Sequence, residues 1–88
     1  MLFEQVTIKE VKKELAELCK QQRKLYGLSQ EDLGESLGLS RFTIQKFENG
    51  QNATLDTVLK IVHHFDLLER LFEALKTLQS ENNNTPMY

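Results

Sequence analysis

Apolar positions recur every three to four residues along nearly the whole chain, and the single proline is Pro86, so nothing interrupts helix across its body. Ile8, Val11, Leu15, Leu18, Cys19 and Leu25 fall on one stripe. Thr7, with Glu10 three residues on, opens that first helix as a capping box, each side chain accepting from a free backbone N–H, and Gly27 closes it. Ser29 caps a second helix with Leu33 and Leu37 inward. Gly38 breaks it in a turn, Leu39 plugs the corner, and Ser40 caps a third helix with Ile44 and Phe47 inward. Asn49 and Gly50 both tolerate left-handed backbone and end the third helix. Thr54 caps a fourth, with Leu55, Val58, Leu59, Val62 and Phe65 inward. Asp66 and Glu69 open a fifth over about residues 67–79, with Leu67, Leu68, Leu71, Phe72, Leu75 and Leu78 on a wide apolar stripe. The pattern predicts an all-α chain of five helices: a single domain over residues 1–79 and a flexible polar tail over 80–88.

Eighty-eight residues, 40% of them hydrophobic, can build one modest core, and such a small domain gains from a partner subunit. A lone cysteine rules out an intrachain disulfide and points to a reducing compartment; on the apolar stripe, Cys19 is expected to be buried and inert. No run reaches the roughly 18 apolar residues of a membrane span, and no signal peptide opens the chain, so a cytoplasmic protein with no membrane partner is expected. His63 and His64 are adjacent and diverge by about 100° on a helix, so they cannot grip one metal together. With no phosphate loop and no nucleophile–base set either, the expectation is a non-enzyme without metal or cofactor.

The third helix carries the chemistry. With Ile44 and Phe47 inward, Phe42, Gln45, Lys46 and Asn49 cluster on the opposite side, and Arg41 stands at the exposed first turn. A short helix presented after a Gly-containing turn has the outline of a helix-turn-helix, residues 29–50, whose second helix enters the DNA major groove. An apolar ring at Phe42 suits a thymine methyl, and Arg41 can donate two hydrogen bonds to guanine O6 and N7. Gln45 and Lys46 reach base edges or phosphate from the next turn. On spacing alone the alternative is that Phe42 packs on a neighbouring helix and Arg41 is merely solvated. Net charge weighs against a polyanion partner: residues 1–50 hold eight Lys/Arg and eight Asp/Glu, and residues 51–88 hold three and five, giving −2. The surplus acid lies away from the third helix, while Lys12, Lys13, Lys20, Arg23 and Lys24 make residues 12–24 locally basic. A modest salt dependence of binding follows.

Residues 28–50, LSQEDLGESLGLSRFTIQKFENG, resemble the phage-repressor/Cro-like (XRE) helix-turn-helix family: Ser29-Gln30, Leu33, Leu37, Gly38-Leu39-Ser40, Ile44, Phe47 and the closing Glu48-Asn49-Gly50 match without a gap. With flanking helices the similarity covers about residues 20–67. It implies a five-helix lambda-repressor-like DNA-binding fold, with helices 2 and 3 as the motif. It implies further that Gln30 bonds a DNA phosphate and braces the start of helix 3, that Arg41, Phe42 and Lys46 read bases, and that Thr43 touches the sugar-phosphate backbone. Side chains and backbone N–H groups around Asn49, Gln51 and Asn52 would hold a second phosphate run. Arg23 would pair with Glu48, tying helix 1 to the end of helix 3. Gly34 stands where the family prefers alanine; glycine keeps the helices close at about 0.5–1 kcal/mol of helix stability.

The expected function is a sequence-specific DNA-binding regulator, a repressor or autoregulator on a palindromic operator, with double-stranded DNA as partner. A homodimer is expected, with Leu68, Leu71, Phe72, Leu75 and Leu78 as candidate interface, setting two reading helices about 34 Å apart. Two rivals stand beside it: the antitoxin of a toxin–antitoxin pair, which also binds a toxin protein, and a protein-interaction module without DNA binding.

Overall fold

The computed structural model describes residues 5–83. They fold as α1 (Ile8–Leu25), α2 (Gln30–Leu37), α3 (Arg41–Glu48), α4 (Leu55–His64) and α5 (Leu68–Asn83), with no strand among them. The all-α, five-helix expectation holds, and the starts of four helices follow from their capping side chains. Thr7 accepts from the Glu10 N–H at 3.0 Å while Glu10 accepts from the Thr7 N–H at 2.9 Å. Ser29 and Asp32 repeat this box on α2, and Ser40 and Thr54 cap α3 and α4. Both box carboxyls, Glu10 and Asp32, are held below their ordinary range, first by the backbone N–H of the capping residue and then by its hydroxyl.

Four helices end in the same left-handed closure, α2 at Gly38 among them. In α1 the Gly27 N–H donates to the Lys24 carbonyl and the Leu28 N–H to Arg23, both at 3.0 Å, with Gly27 at φ +71°. Gly50 closes α3 in this way at φ +76°; Asn49 stays at φ −88°, so only the glycine takes the left-handed role. Asp66 closes α4 at φ +59°, its N–H donating to His63 and the Leu67 N–H to Val62. This corrects the expectation that Asp66 opens α5: it is the stop of one helix and not the cap of the next.

Cys19, Leu33, Ile44, Phe47, Ile61, Val62 and Phe65 form the core, with Leu15, Leu28, Leu37, Leu39, Val58, Leu67 and Leu68 packed around it. Burial together with the nearby Glu48 carboxylate pushes the Cys19 thiol up to about 11. Two assignments on α4 change. Leu55 lies at the edge of the helix beyond the core and is 72% exposed, whereas Ile61, absent from the expected inward set, is fully buried. On α1 the stripe is buried only at Cys19 and partly at Leu15; Ile8, Val11 and Leu25 reach past the core and stay exposed, and Leu18 is 41% exposed. The fifth helix divides as well. Leu68, counted among the candidate interface residues, packs on the chain's own core, while Leu71, Phe72, Leu75 and Leu78 remain exposed. It continues to Asn83, so residues 80–83 are helical where a tail is expected; residues 84–88 lie outside the described ones.

Candidate nucleic-acid interface

Helices α2 and α3 pack closely through Gly34, Leu39 and Ser40. A methyl group built on Gly34 would sit 2.5 Å from the Leu39 carbonyl oxygen, and the Leu39 N–H donates back to the Gly34 carbonyl at 2.8 Å. Gly38 makes the corner at φ +70°, a backbone state that disfavours side chains. This turn fixes the direction in which α3 leaves.

From inside, α3 is anchored by Ile44 and Phe47 and by one carboxylate. The Glu48 side chain, 2% exposed, accepts from Arg23 Nε at 2.6 Å, Arg23 Nη2 at 3.0 Å and Gln30 Nε2 at 3.0 Å. Arg23 Nη1 donates to the Leu28 carbonyl at 2.7 Å. A buried charge in such a place is tolerable only because it is paired and its lone pairs are filled. The expected Arg23–Glu48 pair is therefore present as a two-pronged bond. Gln30 differs from expectation: its amide braces the end of α3 and not the start.

Outside, the face is open. Arg41, Phe42, Gln45 and Lys46 are exposed, and Phe42 keeps 63% of its surface free, which removes the alternative that it packs on a neighbouring helix of the chain. Arg41 and Lys46 are the charges here; the one acid of α3, Glu48, is turned inward against Arg23. The Arg41 guanidinium lies over the Phe42 ring, 5.3 Å from its centre. Among the described residues no hydrogen bond or ion pair holds Arg41, Gln45 or Lys46 side chains back. Thr43 is half-buried, its hydroxyl 3.0 Å from Ser40 Oγ at the start of the helix.

Past the end of α3, the backbone N–H groups of Asn49, Gly50 and Gln51 all donate to carbonyls of α3. They close the helix and are not free for a phosphate; the side chains of Asn49, Gln51 and Asn52 are exposed. Three lysines join them. Lys12 Nζ donates to Asn52 Oδ1, and Lys9 and Lys13 line a cleft with Glu17, Glu48, Asn49 and Gly50. The basic stretch is visible in the sequence, but its meeting with residues 49–52 depends on how α1 crosses α3. Arg23, counted in that stretch, is withdrawn from solvent by its ion pair.

Comparison with known proteins places this geometry. A helix-turn-helix family profile matches residues 20–72. Two archaeal relatives, each named "Putative HTH-type transcriptional regulatory protein", are 35% identical: one from Methanospirillum hungatei over 69 residues, the other from Methanoculleus marisnigri over 72. These alignments take in 78% and 80% of this chain but only 22% and 21% of the relatives, so the chain spans about a fifth of their length. Among solved structures, a chain from a HipA-HipB-O2-O3 complex superposes with a TM-score of 0.58 at 32% identity, covering 74% of this chain and 89% of that one. The chain belongs to the phage-repressor/Cro-like (XRE) helix-turn-helix family.

Proposed function

We propose that this chain is the sequence-specific DNA-binding part of a transcriptional regulator, a repressor or autoregulator that lays α3 along the major groove of a palindromic operator. The observation that carries it is the two-sided construction of α3. Its inner side is fixed by Ile44, Phe47 and the Arg23–Glu48–Gln30 cluster, while Arg41, Phe42, Gln45 and Lys46 are exposed on a helix whose one acid, Glu48, is paired with Arg23. Such side chains can donate to guanine, adenine and phosphate or cover a thymine methyl. Thr43, Asn49, Gln51, Asn52 and the lysines at 9, 12 and 13 grip phosphates on either side. Gln30, held by Glu48, positions the helices. Repression is by occupancy of the operator and involves no chemistry.

The exposed apolar side chains of α5 support a homodimer through this helix. Phe72, Leu75 and Leu78 are 58%, 49% and 57% exposed on α5, and Leu71 of the same helix lines a groove with Leu15, Leu18, Gln22, Val62, Leu67 and Arg70. Contiguous apolar surface of this kind is unusual on a monomer. Light scattering of the full chain should give twice the chain mass, and Leu75→Glu with Leu78→Glu should halve it while the helical spectrum stays.

Selection of bound sites from random duplex DNA tests the function. A palindromic consensus is expected, with Arg41→Ala costing about 1–3 kcal/mol and relaxing choice at one position of each half-site. Failure to enrich any sequence at low salt would point to a protein-interaction module instead. A second reading, the antitoxin of a toxin–antitoxin pair, is favoured by the likeness to a chain from the HipA-HipB-O2-O3 complex, an assembly with another protein. Expression together with neighbouring reading frames, followed by purification, should then yield a stoichiometric second protein.

A further inference from the structure

We propose that Arg41 and Phe42 read one base step as a unit: a guanine whose stacked neighbour carries a pyrimidine 5-methyl group, supplied by thymine or by 5-methylcytosine. The inference rests on the DNA-reading function above and adds what that face reads. Residues 41 and 42 are neighbours in sequence and would diverge by about 100° on an ideal helix. Here they are folded together, the guanidinium carbon 5.3 Å from the ring centre, within the roughly 6 Å reach of a cation–π contact.

Three consequences follow from that contact. It involves no hydrogen bond, so the guanidinium N–H donors, which have no acceptor among the described residues, are free to meet guanine O6 and N7 in the plane of the base. It also leaves Phe42 63% exposed, so the ring still offers apolar surface outward. And it sets the spacing of the two groups. Stacked bases are about 3.4 Å apart along a strand, so 5.3 Å accommodates one step with some lateral offset and falls short of two, about 6.8 Å. With Arg41 in the plane of a guanine, Phe42 therefore meets the adjoining base pair.

On the major-groove side of that pair, the one apolar group a base can present is the methyl at C5 of thymine. Unmodified cytosine shows instead an N4–H donor, which a phenyl ring cannot satisfy well. A methyl placed at cytosine C5 puts the same apolar group at the same place. Methylation of cytosine beside the recognised guanine thus raises affinity, and the state of the DNA becomes an input to the regulator.

The test uses the full chain and duplexes carrying the consensus from site selection. Guanine next to thymine should appear in each half-site. Replacing that thymine by deoxyuridine, which removes only the methyl, should weaken binding about three- to fivefold, the worth of roughly one buried methyl group. Changing the pair to C·G should weaken it further, and 5-methylcytosine there should restore about three- to fivefold. In Phe42→Ala, checked by thermal melting to be folded, the thymine–uracil difference should vanish while the guanine preference stays. In Arg41→Ala the guanine preference should go and the methyl effect shrink. A consensus without the step, no loss with deoxyuridine, or a methyl effect that survives Phe42→Ala overturns the inference alone. An empty selection overturns it together with the DNA-reading function, so the two failures are told apart.

Discussion

Gly34→Ala sets two physical effects directly against each other. Alanine in a helix interior is favoured over glycine by about 1 kcal/mol, so propensity alone makes the variant more stable. The structure says otherwise. The new methyl would lie 2.5 Å from the Leu39 carbonyl oxygen and 3.3 Å from the Ser40 carbonyl, and an ordinary contact begins near 3.4 Å, so the turn must retreat by 3.4 − 2.5 = 0.9 Å. What must move is backbone and not a side-chain tip. The Leu39 N–H is bonded to Gly34 at 2.8 Å and Ser40 caps α3, so the retreat carries the start of α3 with it. Overpacking of this kind costs about 1–3 kcal/mol. Set against the propensity gain, the net expectation is a loss of about 1 kcal/mol, or about 4–8 °C in melting temperature for a domain of this size. Urea unfolding followed by circular dichroism measures the first quantity and a thermal scan the second. DNA affinity, taken well below the melting temperature, should fall as well because α3 is tilted. A variant more stable than its parent by about 0.5–1 kcal/mol would refute the reasoning and show that the turn relaxes freely.

Arg23→Ala leaves the Glu48 carboxylate buried with Gln30 as its one remaining side-chain donor among the described residues, and should cost about 3–5 kcal/mol in urea unfolding; Arg23→Met with Glu48→Leu should recover most of it, and a single-variant loss under about 1 kcal/mol would contradict the burial. Asp66→Gly should stabilise by about 0.5–1 kcal/mol, because the position sits at φ +59° where a side chain is strained; a loss on melting would mean the Asp66 carboxylate has a task of its own. Cys19 titrates near 9.0 when unfolded and is pushed up to about 11 when folded, so the folded state holds the proton longer. Its contribution is full below pH 9 and is lost as pH rises toward 11, a decline that a Cys19→Ala variant should lack. For the Glu10 and Asp32 caps the sign is reversed: their folded carboxyls ionise more readily, so stability present at neutral pH falls as acid protonates them, and Thr7→Ala with Ser29→Ala should flatten that acid limb.

What was legible in the sequence is what local rules decide. Thr7 with Glu10, Ser29, Ser40 and Thr54 are caps because a hydroxyl three residues before an unpaired N–H has one good use, and Gly27, Gly38 and Gly50 take left-handed backbone where a helix must stop. The exposure of Phe42 follows from helical phase once Ile44 and Phe47 face inward. Asp66 was ambiguous for a physical reason: aspartate is good both at a helix start and in the left-handed state, and only the path into α5 decides between them. Leu55 shares the phase of Val58 and Val62, but the core ends before reaching it, a boundary set by the lengths of other helices. Ile61 was readable, lying three residues after Val58 and four before Phe65. The partner of Gln30, the meeting of Lys12 with Asn52, and the internal use of the N–H groups at 49–51 depend on helix crossings, which periodicity does not fix.

The separation of the two sides of α3 bears on how such a protein changes over generations. Arg41, Phe42, Gln45 and Lys46 contribute little to keeping the chain folded, whereas the side chains of Ile44, Phe47 and Glu48 are turned inward and hold α3 in place. On the proposed base-reading role, a codon change at any of the first four would redirect the protein to a different address with small risk of losing it to proteolysis. Lineages carrying this scaffold can diversify their targets by single steps, each intermediate still folded and still open to selection.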